Sequence, residues 1–373
     1  MATPAEAEIR ALLIGVGDYE FLDADLKGPG FDVALMAQTL VARGVSPARI
    51  TALTTMPDAP DLPAGVQLGL PRKAAIIAAM QELTAHSEPG DTVVFYFSGH
   101  GSQMPDASGD EQGGADEILL PMDAAGWKGA VAAVENALVD DELQAWAAGL
   151  TAKSVKLIGI IDACHSGTGF RAAGGTGTVR VLPPEALGIP DDAPNASGVA
   201  SPPIQGDFAF LYSSQPDQRS FEYPLGDAAT GRWQGAFTLA LSQTLREAPG
   251  ASWGQVLAGA RDRMTQGSAR QEPDGEGPML REAVFGAGQA STRFAVEDAV
   301  LLAGLLQGLT EGSVVSVYAA PADGEPVAQA RLEQVSAGSA QLASLGTLLP
   351  QNGWAELATP APPPPLRRAV LQQ

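Results

Sequence analysis

What this 373-residue sequence has little of is informative. A single cysteine, Cys164, forbids an internal disulfide, and together with only three histidines it limits zinc to one site at most. Basic side chains are scarce: 22 Lys and Arg stand against 43 Asp and Glu, and the formal charge of -21 repels nucleic acid while attracting cationic polypeptides or cations. Nowhere do roughly 18 to 20 apolar residues run together, so no membrane span is expected. Met1–Ile9 has no basic apolar leader. These absences describe a soluble, cytoplasmic chain with neither nucleic acid nor membrane as partner.

What is present supports a folded core, with 45% hydrophobic residues. The 43 glycines and 29 prolines are many, but they cluster and so mark boundaries. Residues 10–17 (RALLIGVG) read as a strand, 31–41 as a helix, 49–53 as a strand and 72–84 as a helix. Residues 91–98 (DTVVFYFS) and 155–162 (VKLIGIID) have the apolar, β-branched texture of buried strands, with a helix at 140–148 between them. This alternation predicts an α/β fold with a mainly parallel sheet flanked by helices.

From 171 to 206 the chain is rich in Gly, Pro, Ala and Ser without sustained period, which predicts a long exposed loop. The pattern resumes with a strand at 207–213 and helices near 234–247 and 253–266. Alternation at 313–318 and 327–335, around a Pro-containing turn, predicts a small C-terminal β-rich module over 290–355. A Pro-rich tail, 356–373, follows.

In open α/β sheets the reactive groups gather at the carboxyl ends of the strands. The strand at 91–98 empties into Ser98-Gly99-His100-Gly101, and that at 155–162 into Asp162-Ala163-Cys164-His165-Ser166-Gly167. A parallel sheet brings both turns to one edge, so His100 and Cys164 are candidates to face each other. A free thiol is mostly protonated at neutral pH and needs an imidazole to become an effective nucleophile. Backbone N–H groups at Ser166-Gly167 are candidate oxyanion donors. The bland alternative is a cysteine serving as a small buried hydrophobe; its polar, glycine-containing turn argues against that. His86 reads as an exposed helix end, while Phe221, Tyr223 and Trp233 are candidates for shaping a cleft or simply packing.

These residues carry a resemblance. SGHGSQ at 98–103, the acidic stretch 106–117 running into ILLP, VDDEL at 139–143 and DACHSG at 162–167 together resemble the caspase fold of metacaspases, over roughly residues 8–286. The resemblance implies a caspase-like peptidase domain over 1–289, with a large-subunit-like part (8–170), a loop (171–206) and a small-subunit-like part (207–289). It also implies a thiol protease that cleaves after Arg or Lys, with His100 as the catalytic imidazole, Cys164 as the nucleophile and His165 as a companion. Asp32, Ser98 and Asp162 match the family's acidic pocket, and two carboxylates with a hydroxyl suit a guanidinium's fork of donors. Taken alone, Asp32 and Asp162 would read as local caps.

No cofactor is required by this reading; calcium is the one candidate, at Asp140 and Asp141, which match the family's calcium-binding pair. Here Gly113 and Arg171 stand where calcium-dependent relatives have acids, which weakens such a site. A cut in the loop is expected after Arg180, whose valine neighbours favour an extended chain, because Arg171 is tethered too close to Cys164. The expected partners are protein or peptide substrates carrying Arg or Lys, and the expected state is a monomer. The rival reading is a catalytically silent scaffold of the same fold that binds basic segments.

Overall fold

The computed structural model describes residues 7–361 apart from 60–61, 107–113, 165–177, 195–202, 217, 226–230, 249, 266–270, 287–292, 306–308, 320–324 and 337–338. Its centre is a sheet built on the most apolar segment. Every residue of Thr92–Ser98 is buried, and the strand pairs in parallel with Ile9–Gly15 on one side and Lys156–Asp162 on the other. Ile50–Thr54 and Gln67–Gly69 extend the sheet beyond Ile9–Gly15. Phe208–Tyr212 extends the other side in parallel, and Asp274–Glu276 closes that edge antiparallel.

Continuous apolar strands need cover on both faces. Helices α1 (Pro29–Ala42), α4 (Ala236–Glu247) and α5 (Trp253–Thr265) cover one face. There Val33, Met36, Phe237, Leu241 and Trp253 join Leu13, Tyr96 and Ile158 of the strands. Helices α2 (Lys73–His86) and α3 (Asp140–Ala152) cover the other, where Ile76, Met80 and Leu150 meet Leu12, Phe95, Phe97 and Leu157. Neighbouring strand residues thus serve opposite cores, as the two-residue repeat of a strand requires. The register sets Gly15, Ser98 and Asp162 side by side. The turns leaving Ser98 and Asp162 therefore start level, at one edge.

The region expected to be a long exposed loop is different where it is described. Thr178–Val179 pairs antiparallel with Phe221–Leu225, which in turn pairs with Arg232–Gly235, and Val181 bridges to Gly101. A 3-10 turn at Pro184–Leu187 then buries Leu187. Composition read as loop because so short a strand is held by backbone pairing, which leaves no periodic side-chain signature.

The C-terminal module is a closed six-stranded barrel running from Phe294 to Thr359. Its closing strand, Asn352–Thr359, pairs with Phe294–Glu297 as far as Ala355 and continues past it because Val314–Tyr318 gives it further ladder partners. Gln255 of α5 donates to the Arg293 carbonyl (3.0 Å), tying the barrel to the larger domain. Among the described residues no helix is long and apolar enough to cross a membrane.

Candidate active site

The two turns are in direct contact. A Cβ added at Gly101 would lie 1.9 Å from the Cys164 carbonyl oxygen, so only glycine allows this approach. The His100 N–H donates to the Tyr19 hydroxyl (2.9 Å), and its ring Nε2 is 2.9 Å from the Ala24 carbonyl oxygen. A carbonyl can only accept, so Nε2 carries the proton and Nδ1 is a bare acceptor. Nδ1 is buried and makes no hydrogen bond. Burial, reinforced by the Arg180 charge, lowers the pKa of His100 to about 4. The imidazole is neutral.

Cys164 is also buried. Its Sγ accepts the Ser220 N–H (2.8 Å) and faces the Ser220 carbonyl at 3.7 Å. Ser220 is held in turn by Ser213, whose Oγ hydrogen-bonds Ser220 Oγ and donates to the Ala163 carbonyl (3.1 Å). Burial pushes the thiol up to about 11, against the Ser220 hydrogen bonds. Thiol and imidazole are thus both uncharged, and no hydrogen bond joins them.

Beside them lies the acidic pocket. Asp32, Ser98 and Asp162 converge there, all fully buried. The occupant is Arg180, itself 0% exposed, which corrects its expected place on a mobile surface loop. The reason is charge: three carboxylates compensate the buried guanidinium. Its Nη2 is 2.5 Å from Asp32 Oδ2 and 3.4 Å from Glu222 Oε2, and its Nη1 is 3.1 Å from Asp162 Oδ2. Nη1 also donates to Ser98 Oγ (2.9 Å), which donates in turn to Asp32 Oδ2 (2.9 Å).

The backbone of Arg180 is placed as specifically as its side chain. Its carbonyl oxygen accepts the Gly101 N–H (3.3 Å) and the Cys164 N–H (3.2 Å), and its own N–H donates to the Ser220 carbonyl (2.9 Å). The expected donors Ser166 and Gly167, like His165 and Arg171, lie outside the described residues.

Three carboxylates around one cation need further support, and two helix starts give it. Asp162 Oδ2 accepts both the N–H (3.1 Å) and the hydroxyl (2.6 Å) of Thr238 in the first turn of α4. Both Glu222 oxygens accept backbone N–H groups at the entry to α1, Lys27 and Gly28, each at 3.0 Å. Helix starts carry positive partial charge and unpaired donors, so they favour ionised carboxylates. Asp32 is held by the Gly235 N–H (2.9 Å); burial raises its pKa to about 6, with Arg180 opposing the rise.

Asp140 and Asp141 sit apart, at the start of α3. Asp140 already accepts the Glu117 N–H (3.0 Å) and the Asp141 N–H (2.9 Å), one on each oxygen. Burial lifts its pKa to about 7. Among the described residues no group of three or more His, Cys, Asp or Glu is placed to hold a metal ion, and a carboxylate engaged by two donors does not fit calcium as it stands. Gly113 lies outside the described residues. Of the aromatic candidates, Phe221 and Tyr223 stack at 6.1 Å, and Trp233 carries Lys27 Nζ over its ring at 4.8 Å.

Glu222, Tyr19, Ser220 and the Ala24 carbonyl contact the candidate site residues, Ser213 holds Ser220, and none of these was singled out from the sequence. Only Glu222 left a trace, an acid between two aromatic residues in a strand.

A lone cysteine and a neutral histidine on touching turns at the carboxyl edge of a parallel sheet, beside an acidic pocket, define a caspase-like site. The family model described as the caspase domain matches residues 9–285, and the chain belongs to that family. It is similar to Metacaspase-2 of Arabidopsis thaliana, 31% identical over 264 residues, or 69% of this chain and 57% of the relative. Metacaspase-1B of Aspergillus fumigatus is 36% identical over 160 residues, 43% of this chain and 35% of that one. The chain thus spans about a third to somewhat over half the length of these relatives. The crystal structure of protein GSU0716 from Geobacter sulfurreducens shares the fold, with a TM-score of 0.52 and 21% identity over 76% of this chain and all of that one.

Proposed function

We propose that the protein is a cysteine endopeptidase cleaving after Arg or Lys through a Cys164–His100 dyad, and that its own Arg180–Val181 bond is its first substrate. One observation carries this reading: Arg180 is bound as a substrate residue would be. Its side chain fills the acidic pocket, its carbonyl faces two N–H donors, and the residues before it add a strand to Phe221–Leu225. Adding a strand is a general way for a protein to hold an extended peptide.

The chemistry follows from the resting protonation states. The thiol rotates from Ser220, gives its proton to His100 Nδ1 and attacks the carbonyl carbon. Negative charge develops on the carbonyl oxygen, where the N–H groups of Gly101 and Cys164 stabilise it. The C–N bond breaks, and His100 returns the proton to the departing amine, leaving a thioester on Cys164. Water, losing its proton to Nδ1, hydrolyses the thioester and restores the thiol. The Ala24 carbonyl holds the ring throughout and supports the imidazolium. Until the bond is cut or the strand withdraws, Arg180 excludes other substrates.

The test is to incubate the wild type and Cys164→Ala side by side, sequence new N-termini and assay a fluorogenic Arg peptide. A fragment beginning at Val181 and steady peptide turnover are expected in the wild type alone. Peptide binding without any turnover would instead identify a silent scaffold.

A further inference from the structure

We infer that Glu222 is a specificity-determining residue that makes the pocket prefer arginine to lysine. This rests on the proposed cleavage after basic residues, and it divides a substrate class that Asp32, Ser98 and Asp162 alone leave undivided.

The acceptors around Arg180 fall into two groups. Ser98 Oγ and Asp32 Oδ2 are 2.9 Å apart and hydrogen-bonded, and Nη1 reaches both Ser98 Oγ (2.9 Å) and Asp162 Oδ2 (3.1 Å). A single ammonium seated among these three would meet its three donors' worth of acceptors. Glu222 Oε2 reaches only Nη2, at 3.4 Å, a nitrogen it shares with Asp32 Oδ2 at 2.5 Å. The guanidinium spans both groups because its donors point along a fixed planar fork; an ammonium is a point charge and serves one group. With lysine bound, the buried Glu222 carboxylate therefore faces no cation.

Two features hold that carboxylate in place whichever substrate arrives. Both oxygens are fixed by the N–H groups of Lys27 and Gly28, and the side chain is fully buried. A Cβ at Gly28 would come within 2.7 Å of Arg180 Nη2 and 2.8 Å of Glu222 Oε2. Glycine there lets helix entry, carboxylate and guanidinium pack together.

The experiment measures kcat/KM of the full-length wild type and of Glu222→Gln on two fluorogenic peptides, identical except for Arg or Lys before the cleaved bond. The Arg/Lys ratio is used because Arg180 of the same chain blocks both peptides equally and cancels. The wild type should favour Arg at least tenfold, and Glu222→Gln should reduce that preference by about tenfold, mainly by slowing Arg cleavage. If Glu222 only anchors the entry to α1, both peptides lose activity together and the ratio stays, which overturns the inference. Should the variant fail to fold, a wild type without Arg preference overturns it equally. Cleavage of neither peptide by the wild type would sink the proposed peptidase function itself.

Discussion

The acidic pocket and the interior of the C-terminal barrel are both buried, and they are built on opposite principles. The barrel encloses Val315, Val317, Ala330, Leu332 and Ala355, apolar side chains that alternate with exposed ones along their strands. The pocket encloses one guanidinium and three carboxylates with no exposed surface to speak of. Apolar burial stabilises a fold on its own. A buried ion cluster recovers its desolvation cost only with good geometry, and often fails to match an apolar core of the same size. The barrel therefore explains itself as structure, whereas the pocket is organised around one cation, Arg180.

The sharpest way to break this comparison is one change of side-chain volume in each region. A Cβ at Gly235 would lie 2.2 Å from Asp162 Oδ2 and 2.6 Å from Arg180 Nη1. Gly235→Ala should cut kcat/KM on Arg peptides by about 10²-fold or more, since displacement on the order of 1 Å at a site has that effect. Leu332→Ala, in the barrel core, should instead lower stability by about 2–5 kcal/mol through the cavity it leaves. Denaturant unfolding and peptide assays on both variants check the pair. A Gly235→Ala enzyme with full activity would mean that Asp162 is not a wall of the working pocket.

How much of this was legible beforehand follows the same division. Alternation and apolar runs carry the sheet and the barrel strands, because burial of side chains writes a periodic pattern. The meeting of the turns that carry His100 and Cys164 was legible because strand register alone brings them together. The Ala24 carbonyl, the Gly101 N–H and the Ser220 carbonyl were not, since backbone groups have no residue signature. Glu222 was hidden by its neighbours: Phe221 and Tyr223 stood out as candidates for a cleft or for packing, and the acid between them was not singled out. In fact Glu222 is fully buried while the two aromatics are half-buried and stacked. Arg180 was placed as the residue to be cut, but nothing in a Gly- and Pro-rich stretch announced a docked, buried side chain.

The charged pocket also responds to pH in a way the barrel core does not. Asp32 is raised from 3.8 to about 6, chiefly by burial. Below that value it holds a proton and loses its attraction for a guanidinium, so kcat/KM on Arg peptides should rise several-fold as pH increases through about 6, with the change residing in KM. Stability tilts the other way. The folded state keeps a proton that the unfolded chain releases near 3.8, so this group's contribution is greatest below that pH and declines up to about 6. Asp32→Asn should flatten both profiles; a KM that rises with pH across this range in the wild type would show that Asp32 is not the titrating contact.

The smallest effect is expected from calcium. An ion at Asp140 and Asp141 needs hard oxygen ligands converging from several residues. Asp140 spends both oxygens on the N–H groups of Glu117 and Asp141, and the adjoining Glu142 closes the start of α3 by accepting the Val139 N–H (3.1 Å) and pairing with Lys73 (2.8 Å). These carboxylates are thus committed to a helix start, which favours negative charge, with Lys73 pairing Glu142. Burial also lifts Asp140 to about 7, so at neutral pH it is partly protonated and a poorer ligand still. Peptidase activity should therefore persist in chelator and change by less than about twofold on adding millimolar calcium. The same assay on Asp140→Ala separates the possibilities: loss of helix stability with unchanged calcium response is the expected result. An absolute calcium requirement, abolished by that substitution, would show that ligands converge here on binding and that the helix-start arrangement is only the calcium-free state.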